Sequence, residues 1–530
     1  MKQKLSALAL LLVAAATLGS CIRIVSPSDS TSKLAELMHL IGGQYVDTVD
    51  MDELVEKTIP KVLAELDPHS VYIPARDVEE VEQDLRGCFS GIGIQFMIQA
   101  DTIYVSDVIS GGPAEKVGLM PGDRIVTIDD SLFVGKKVNN DEAMKRLKGS
   151  KGTEVTLGIK RQGEKELLSF TIVRGNIPVK SVDANYMIDD RWCYVKINKF
   201  GETTYPEMLL ALAQGMQRDM EGCIIDLRGN TGGYMVAAIQ MVNEFLPKGD
   251  MIVYTEGLNA SRQEQYANGR GSCQQLPLVV LTDETSASAS EIFAGAMQDN
   301  DRATIIGRRT FGKGLVQQSF DFADGSSVRL TISRYHTPSG RCIQKPYTKG
   351  ESEEYELDLL TRYEHGEFFT QDSIKQDESI AYQTKNGRTV YGGGGIMPDI
   401  FVPHDTTGYT SYYAAVAKMG LFTRFPFEYT DKNRQELSSY TDMDALLQHL
   451  KRQDIMEQFV QHAASKGIKR RNNLIRESRP VMEEILYGNI IYNVLGMEAY
   501  TKYLNLTDPA VLKAVEILER GESRPKGIEN

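Results

Sequence analysis

The stretch Cys223-Ile224-Ile225-Asp226-Leu227-Arg228-Gly229-Asn230-Thr231-Gly232-Gly233 determines the fold of the largest part of the chain. Its apolar first half is typical of a buried strand, and its glycine-rich second half is typical of a turn. A helical pattern follows from Met235 to Phe245. Strand, glycine turn and helix in this order predict one unit of an α/β sheet, where functional groups gather at the carboxyl ends of the strands.

The same alternation continues on both sides of this stretch. A strand at Tyr194–Ile197 and a helix near Tyr205 to Arg218 precede it, and a strand at Leu278–Leu281 and a helix from Ser290 follow it. We therefore predict an α/β domain in which the turn after Asp226 and the turn after Leu281 face one pocket.

The second of these turns carries a serine that is a candidate nucleophile. Ser288 lies in the run Thr285-Ser286-Ala287-Ser288-Ala289-Ser290-Glu291, and Lys313 follows in Phe311-Gly312-Lys313-Gly314. A lysine can take the proton of a serine hydroxyl only if burial lowers the pKa of its ammonium far enough to leave it uncharged. The pair therefore predicts a dry active site. Gln317, placed one helical turn beyond Lys313, is expected to hydrogen-bond the amine and orient it.

Backbone amides near Ser288 are candidates for an oxyanion hole. The amide of Ala289 is expected at the positive end of a helix dipole. A second amide comes from Gly232 or Gly233, and the sequence does not decide between them.

Other interpretations of these residues exist. A Gly-Lys-Gly turn is often a solvated loop, and a serine before a helix is often only an N-cap. A Ser-His-Asp hydrolase would use His336, which lies in the strand-like run Thr331–His336 and fits an ordinary strand residue better.

Residues 87 to 174 form short β-branched runs separated by turns, which predicts one compact β-rich module. The loop Gly91-Ile92-Gly93-Ile94, followed by Gly112-Pro113-Ala114 and Pro121–Ile125, resembles a PDZ domain. The resemblance implies that backbone amides of the loop at Gly91, Ile92, Gly93 and Ile94 hold the terminal carboxylate of a protein tail. A β-domain that only spaces its neighbours is the alternative.

The N-terminus has the pattern of an export signal. Lys2 and Lys4 precede the apolar stretch Leu5–Leu18, which is too short for an ordinary membrane span. Leu18-Gly19-Ser20-Cys21 resembles the bacterial lipobox, which predicts lipidation of Cys21; a plain secretory signal is the alternative. We expect an exported lipoprotein of the bacterial cell envelope that faces the periplasm.

Composition excludes some classes of partner. The 530 residues predict three or four domains, and the net charge of −13 argues against binding to nucleic acid. The cysteines beyond Cys21 are widely spaced and form no metal-ligand motif, so no metal and no cofactor are expected, although one disulfide is compatible with export.

Taken together, the motifs resemble the carboxyl-terminal processing protease family, also called tail-specific proteases. The resemblance rests on the motifs already quoted and on three more: Leu66-Asp67-Pro68-His69-Ser70, Thr337–Arg341 and Gly395–Asp399. It implies a serine endopeptidase with nucleophile Ser288, base Lys313 and supporting Gln317, and it leaves Ser286 and Ser290 as packing or capping residues. Thr231 stands where the family commonly has proline, and Arg161 is the candidate that couples a docked tail to Gln317.

The expected fold class is multidomain α/β, with a helical N-terminal segment, a PDZ domain, a crotonase-like α/β serine protease core and a helical C-terminal domain. The predicted divisions are a signal peptide (1–20), a lipid tether (21–32), the helical segment (33–86), the PDZ domain (87–175), the core (176–403, with an insertion at about 347–388) and the helical domain (404–530). Expected partners are proteins or peptides with exposed C-termini and, through the lipid, a membrane. By analogy, the chain is also expected to form a homo-oligomer. A catalytically inactive PDZ scaffold that binds protein tails is the alternative function.

Overall fold

The computed structural model describes residues 29–526, apart from residues 100, 136, 137 and 376. The predicted signal peptide and the predicted lipidation site at Cys21 lie outside the described residues. The described residues divide into two compact units, with the boundary between Leu63 and Ala64.

The first unit is helical, as predicted. It contains α1 (Asp29–Gln44) and α2 (Met51–Ala64), whose last residue belongs to the second unit. The predicted tether at 21–32 is wrong at its end, because α1 already begins at Asp29. Asp, Ser and Thr are favoured at helix starts as well as in turns, which explains the error. Among the described residues, no helix combines the length and apolar character needed to cross a membrane.

The second unit begins with a strand, a helix and a β-rich domain that matches the predicted module. In chain order the elements are β1 (Val71–Ile73), α3 (Ala75–Arg86), β2 (Cys88–Gly91), β3 (Ile94–Gln99), β4 (Thr102–Val108), α4 (Pro113–Val117), β5 (Arg124–Ile128), β6 (Ser131–Leu132), α5 (Asn140–Leu147), β7 (Glu154–Lys160), β8 (Leu168–Val173) and β9 (Gly175–Pro178). The sheet has the order β3-β4-β5-β7-β8, with β6 paired to β5, so that β3 is an edge strand. Strands β2 and β9 pair where the chain enters and leaves the domain.

The core follows with two sheets. Its elements are β10 (Val182–Ile188), β11 (Trp192–Ile197), α6 (Thr204–Gln217), β12 (Gly222–Asp226), α7 (Met235–Asn243), β13 (Met251–Glu256), β14 (Gln263–Tyr266), β15 (Leu278–Thr282), α8 (Ala289–Asp299), β16 (Thr304–Gly307), β17 (Leu315–Asp321) and β18 (Ser327–His336).

A segment rich in charged residues and the C-terminal helices complete the chain. The elements are α9 (Ser352–Glu356), α10 (Asp358–Glu364), a 3₁₀ turn (Gln371–Ser373), β19 (Ala381–Gln383), β20 (Thr389–Tyr391), β21 (Ile400–Phe401), α11 (Ser411–Lys418), α12 (Leu421–Lys432), α13 (Arg434–Leu437), α14 (Met443–Lys451), α15 (Ile455–Ser465), α16 (Asn472–Leu495), α17 (Met497–Asn505) and α18 (Pro509–Glu519).

The first sheet of the core confirms the predicted α/β architecture. Its order is β10-β11-β12-β15-β16-β21, and all neighbours pair in parallel except the edge pair β10 and β11. Every residue of β12 and β15 is buried, because helices cover both faces of a parallel sheet. Cys193 and Cys223 lie opposite each other on β11 and β12, and all five described cysteines are free.

A second sheet, absent from the sequence interpretation, lies beside the lysine turn. Its order is β1-β18-β13-β14, and β17 also pairs with β18. Strand β17 begins two residues after Lys313, and β1 follows the Leu66–Ser70 motif. The sheet therefore brings the start of the second unit next to the lysine.

The region predicted as a helical C-terminal domain is helical, and its helices pack in two places. Helices α11 to α16 share an apolar core of their own, with Leu446, Phe459 and Ile490 at its centre. Helix α18 instead packs Val511 and Ala514 against the face of the first core sheet. Helical periodicity shows that a helix has an apolar face but not which surface that face covers.

Helices α12 and α16 also contact the β-rich domain. Arg124 pairs with Asp431 at 3.1 Å, and the Tyr492 hydroxyl donates to Gln95 Oε1 at 2.6 Å.

Candidate active site

Two turns at the carboxyl ends of β12 and β15 meet, as the sequence predicts. Because these strands are parallel neighbours, the turn after Asp226 lies beside the turn that carries Ser288. The Gly229 amide donates to Asp283 at 3.0 Å, and the Ala287 amide donates to the Asn230 carbonyl at 3.0 Å. These bonds hold the glycine turn against the serine turn.

Ser288 differs from its two serine neighbours. It has φ 57° and ψ −113°, a left-handed conformation that is rare for a residue with a side chain, and it is only partly buried. Ser286 and Ser290 are fully buried, and their hydroxyls donate at 2.9 Å to the carbonyls of Leu227 and Asn230 respectively. Both therefore have the structural role that the sequence predicts for them.

The candidate oxyanion amides lie around Ser288. Ala289 is the first residue of α8, so its amide points out of the helix end. A methyl group added at Gly232 would lie 2.7 Å from Ser288 Cβ and 3.0 Å from the Ala289 nitrogen. The Gly232 amide itself donates to Asn230 Oδ1 at 2.8 Å, whereas no hydrogen bond within the described part of the chain engages the amide of Gly233.

Glu291 joins the serine turn to the lysine turn. Its carboxylate is fully buried and accepts hydrogen bonds from the Ser288 amide at 2.8 Å, the Gly312 amide at 2.7 Å, the Lys313 amide at 2.9 Å and the Thr310 hydroxyl at 2.5 Å. Burial raises the pKa of Glu291 to about 7, against the opposing effect of these four bonds. The sequence pattern did not single out Glu291, although a glutamate three residues after an N-cap serine is a capping-box signal.

Tyr335 on β18 is a second link between the two turns. Its buried hydroxyl lies 3.1 Å from the Ser288 carbonyl and 2.6 Å from the Lys313 carbonyl. The backbones of Ser288 and Lys313 are therefore held close together from two directions.

Lys313 has the electrostatic surroundings of a base. Burial lowers the pKa of its ammonium from the ordinary value of 10.5, and Arg329 lowers the pKa further, whereas Glu291 and Asp67 raise it. The net effect is a decrease, as a dry site requires.

Gln317 lies in a strand and not one helical turn beyond Lys313, which corrects the expected local geometry. It belongs to β17 at a register irregularity, and its amide donates to the Thr331 hydroxyl at 3.2 Å. That hydroxyl donates to Asp67 Oδ1 at 3.0 Å. The sequence pattern missed this placement because glycines flank the lysine and the apolar spacing after them is ambiguous.

Asp67 and His69 of the Leu66–Ser70 motif are close enough to Lys313 to interact with its charge. The Asp67 carboxylate accepts from the amides of His69 and Ser70 at 2.9 Å each. Burial lowers the pKa of His69 to about 4, and the charge of Lys313 lowers it as well. The motif was recognised in the sequence, but its position beside the lysine follows only from the second core sheet.

Two other cationic or basic groups are poor candidates for the base. Burial lowers the pKa of Lys345 as well, but its ammonium donates to Asp358 at 2.8 Å and lies 3.8 Å from the centre of the Phe311 ring. Both contacts favour the charged form and oppose that decrease. His336 stacks on Tyr254 with ring centres 4.6 Å apart and hydrogen-bonds the Gly340 carbonyl at 3.1 Å. It is the ordinary strand residue that the sequence analysis favoured.

The β-rich domain presents the loop predicted to bind a tail. Gly93 has φ 82°, and its carbonyl accepts from the Ile109 amide at 3.0 Å, which shapes the loop before β3. Arg161 makes a two-point contact with buried Asp123, at 2.8 and 2.7 Å, and none of its hydrogen bonds joins it to Gln317. Its coupling role stays a prediction about a state with a docked tail.

Comparison with known families identifies three regions of the chain. A model of peptidase family S41 matches residues 191–351, a PDZ domain model matches residues 90–172, and a family of unknown function (DUF8443) matches residues 412–496. In the described residues no group of three or more His, Cys, Asp or Glu side chains has an arrangement that could hold a metal ion.

Curated relatives carry related names. The chain is 34% identical over 316 residues to the carboxy-terminal processing protease CtpB of Bacillus subtilis, and the match covers 59% of this chain and 65% of CtpB. It is 34% identical over 364 residues to CtpA of the same organism, covering 67% of this chain and 77% of CtpA. A solved structure, the photosystem II D1 C-terminal processing protease, is 25% identical with a TM-score of 0.35, covering 60% of this chain and 91% of that one.

Proposed function

Because the chain belongs to the carboxy-terminal processing protease family, which are serine-type peptidases with a PDZ domain, we propose that it cleaves peptide bonds with Ser288 as nucleophile and Lys313 as general base. The observation that carries this proposal is the double link between the two turns. Glu291 and Tyr335 each contact the backbones of Ser288 and Lys313, which supports a site that contains both side chains.

The geometry of Ser288 supports its role as the nucleophile. Its backbone is strained and its side chain is partly exposed, while the hydroxyls of Ser286 and Ser290 donate to carbonyls inside the fold. A strained nucleophile held at a sharp strand-to-helix turn is a recurring arrangement in hydrolases.

Proton transfer follows from the lowered pKa of Lys313. The neutral amine accepts the Ser288 proton as the hydroxyl oxygen attacks the carbonyl carbon of the substrate. The resulting ammonium then donates that proton to the nitrogen of the leaving amine, which leaves an acyl-enzyme. A water molecule, deprotonated by the same amine, hydrolyses this ester and restores Ser288.

For the oxyanion hole we propose the amides of Ala289 and Gly233. Gly232 is less suitable because Asn230 already accepts from its amide. The role of Gly232 is instead to allow close approach, since any side chain there would collide with Ser288.

Substrate tails are proposed to dock on the PDZ domain by strand addition. Among the described strands β3 pairs with β4 alone, so its other edge has no strand partner and is the candidate for strand addition by an extended peptide. We propose that the loop Gly91–Ile94 at the start of this strand binds the terminal carboxylate. A substrate ending in a carboxamide should therefore be cleaved with a higher KM than the same substrate ending in a carboxylate.

Membrane attachment through Cys21 is proposed from the lipobox pattern alone. Export of the full chain with labelled fatty acid tests it, because the Cys21→Ser variant should lose the label. Label retained in that variant would reject the attachment site.

The catalytic proposal is tested by cleavage of an unstructured protein. Ser288→Ala and Lys313→Met should each abolish product formation, whereas the exposed matched controls Ser319→Ala and Lys349→Met should cleave at the wild-type rate. Cleavage at the wild-type rate by either Ser288→Ala or Lys313→Met would reject the assignment.

A further inference from the structure

The segment after Lys345, for which the sequence indicated no role, contains Tyr355. This tyrosine lies beside the turn Phe311–Gly314 that carries Lys313. Tyr355 is the fourth residue of α9 and is 6% exposed. Its hydroxyl lies 2.8 Å from His69 Nε2 and accepts from Gln344 Nε2 at 3.3 Å. The Gln344 Oε1 atom in turn accepts from the Gly314 amide at 2.8 Å. One hydroxyl therefore connects both flanks of the lysine turn.

The ring of Tyr355 contributes separately from its hydroxyl. It makes edge-to-face contacts with His69, at 5.2 Å between ring centres, and with Phe311 at 5.9 Å. Lys345 Nζ lies 4.0 Å from the ring centre. Replacing the tyrosine with phenylalanine would remove the hydroxyl and leave these ring contacts.

The segment is anchored firmly to the lysine turn. Arg362, which is 5% exposed, donates to the carbonyls of Arg309 at 2.8 Å and Thr310 at 3.2 Å. Glu367 pairs with Arg362 at 2.7 Å and with Arg309 at 2.6 Å. Buried pairs with this many hydrogen bonds define one geometry, so α9 is held in a fixed position.

We propose that Tyr355 is a positioning residue for the base Lys313, acting through His69 and Gln344, and that the segment carrying it is part of the catalytic core. This inference rests on the Ser288 and Lys313 mechanism proposed above. The family model ends at residue 351, so the tyrosine lies beyond the matched region.

The physical role follows from what the hydroxyl satisfies. Without it, His69 Nε2 loses its bond to the hydroxyl, and Gln344 Nε2 keeps only its bond to the Lys345 carbonyl at 2.9 Å. Buried polar groups that lose a hydrogen bond recruit water. Water beside Lys313 would weaken the desolvation that lowers the pKa of its ammonium. The pKa would then rise towards its ordinary value, and less of the lysine would be neutral at a given pH.

Other charged and titratable groups around Lys313 contribute to the pKa of its ammonium in the wild type. The charged and titratable side chains that face it or its neighbours are Glu291 on α8, Arg329 and Tyr335 on β18, Asp67 and His69 before β1, and Tyr355 and Lys345. Tyr355→Phe changes none of their charges, so a shift in the pH profile reports on solvation and position.

The test is the pH dependence of kcat/KM for the full chain carrying Tyr355→Phe. We expect the acid limb to move to higher pH. Below the limb, kcat/KM of the variant should be lower than that of the wild type by a factor on the order of ten, and above the limb the two values should be equal. KM should be unchanged, because the described hydrogen bonds and ring contacts of Tyr355 involve no residue of the PDZ domain. Tyr363→Phe is the matched control, since Tyr363 is exposed in the same segment and none of the described hydrogen bonds involves its hydroxyl.

A second variant tests the same hydrogen bond, so that the conclusion does not depend on Tyr355→Phe alone. His69→Gln acts at the other end of the same hydrogen bond and should shift the limb in the same direction. The double variant should shift it no further, because the two residues act as one unit. An unshifted limb in both single variants, or an equal loss at every pH, would overturn the proposal.

Parallel assays separate this proposal from the mechanism beneath it. If Lys313→Met is inactive while Tyr355→Phe has the wild-type profile, only the role of Tyr355 fails. If Lys313→Met remains active, the mechanism fails and the role of Tyr355 fails with it.

Discussion

The serine side and the lysine side of the site are built in different ways. The serine side consists of two adjacent strand ends, and its groups lie within the segments 226–233 and 283–291. The lysine side is assembled from separate parts of the second unit: the Leu66–Ser70 motif, strand β18, Gln344 and the segment that carries Tyr355. Local backbone geometry forms the surroundings of the proposed nucleophile, whereas long-range packing forms the surroundings of the proposed base.

This difference has a physical reason. A nucleophile needs exposure and a strained turn, which a strand, a glycine-rich loop and a helix supply together. A lysine base needs removal from water, and covering a long side chain takes several elements. Glu291 and Tyr335 are the residues shared by both sides.

Glu291→Gln should have the largest effect, because it uncouples the two sides. The carboxylate of Glu291 accepts four hydrogen bonds, and in glutamine an amide nitrogen, which cannot accept, replaces one of its two oxygens. About half of the four bonds would therefore be lost. We expect kcat to fall on the order of 10³-fold and the free energy of unfolding to fall by about 3 kcal/mol. Steady-state cleavage and urea unfolding measure these changes, with exposed Glu364→Gln as the control. Wild-type kcat in the folded variant would show that the link is dispensable.

Gly232→Ala should damage the serine side alone. The added methyl group would lie 2.7 Å from Ser288 Cβ and from the Ala287 carbonyl oxygen, so the nucleophile must move. We expect kcat to fall about 10²-fold while the acid limb of the pH profile stays in place, because the solvation of Lys313 is unchanged. Gly43→Ala is the control, since nothing lies within 4 Å of the added atom there. A displaced limb in Gly232→Ala would show that the two sides are not separable.

Tyr335→Phe should have a smaller effect on both sides. The carbonyls of Ser288 and Lys313 lose the hydroxyl that donates to both, but Glu291 still accepts from the amides of these two residues. We expect kcat to fall about tenfold and the free energy of unfolding to fall by about 1–2 kcal/mol. Kinetics and thermal unfolding of the purified variant measure both quantities. A change in stability without any change in kcat would assign Tyr335 a purely structural role.

His336→Gln should leave catalysis unchanged. His336 stacks on Tyr254 and contacts Gly340, so it has no part in either side of the site. The kcat/KM profile of this variant should overlay that of the wild type. Loss of the acid limb in His336→Gln would instead support a histidine-based hydrolase.

The sequence could predict the serine side and most of the fold for a local reason. The strand at 222–226, the helix at 235–243 and the strands between 94 and 173 lie close to their predicted places, because each has a clear period and turn residues at its ends. The choice of Ser288 over its neighbours rested on the family resemblance, and the hydrogen bonds of Ser286 and Ser290 agree with it.

The lysine side could not be predicted in the same way, because its contacts join residues far apart in the chain. Nothing in the spacing of Asp67, Thr331 and Gln317 indicates that they form one chain of hydrogen bonds. Tyr355 lies in a charged segment without clear periodicity, and α18 carries an apolar face whose partner only the tertiary fold reveals.

The most direct test of the account is the pH dependence of kcat/KM for the wild type, measured beside Lys313→Met. Burial lowers the pKa of Lys313, so the neutral base is present above that lowered pKa and is lost as the pH falls through it. We expect cleavage to rise with pH along a limb that lies below the ordinary lysine value of 10.5, and no cleavage by Lys313→Met at any pH. A limb at or above 10.5, or cleavage retained by Lys313→Met, would contradict the claim that a buried, uncharged Lys313 is the base.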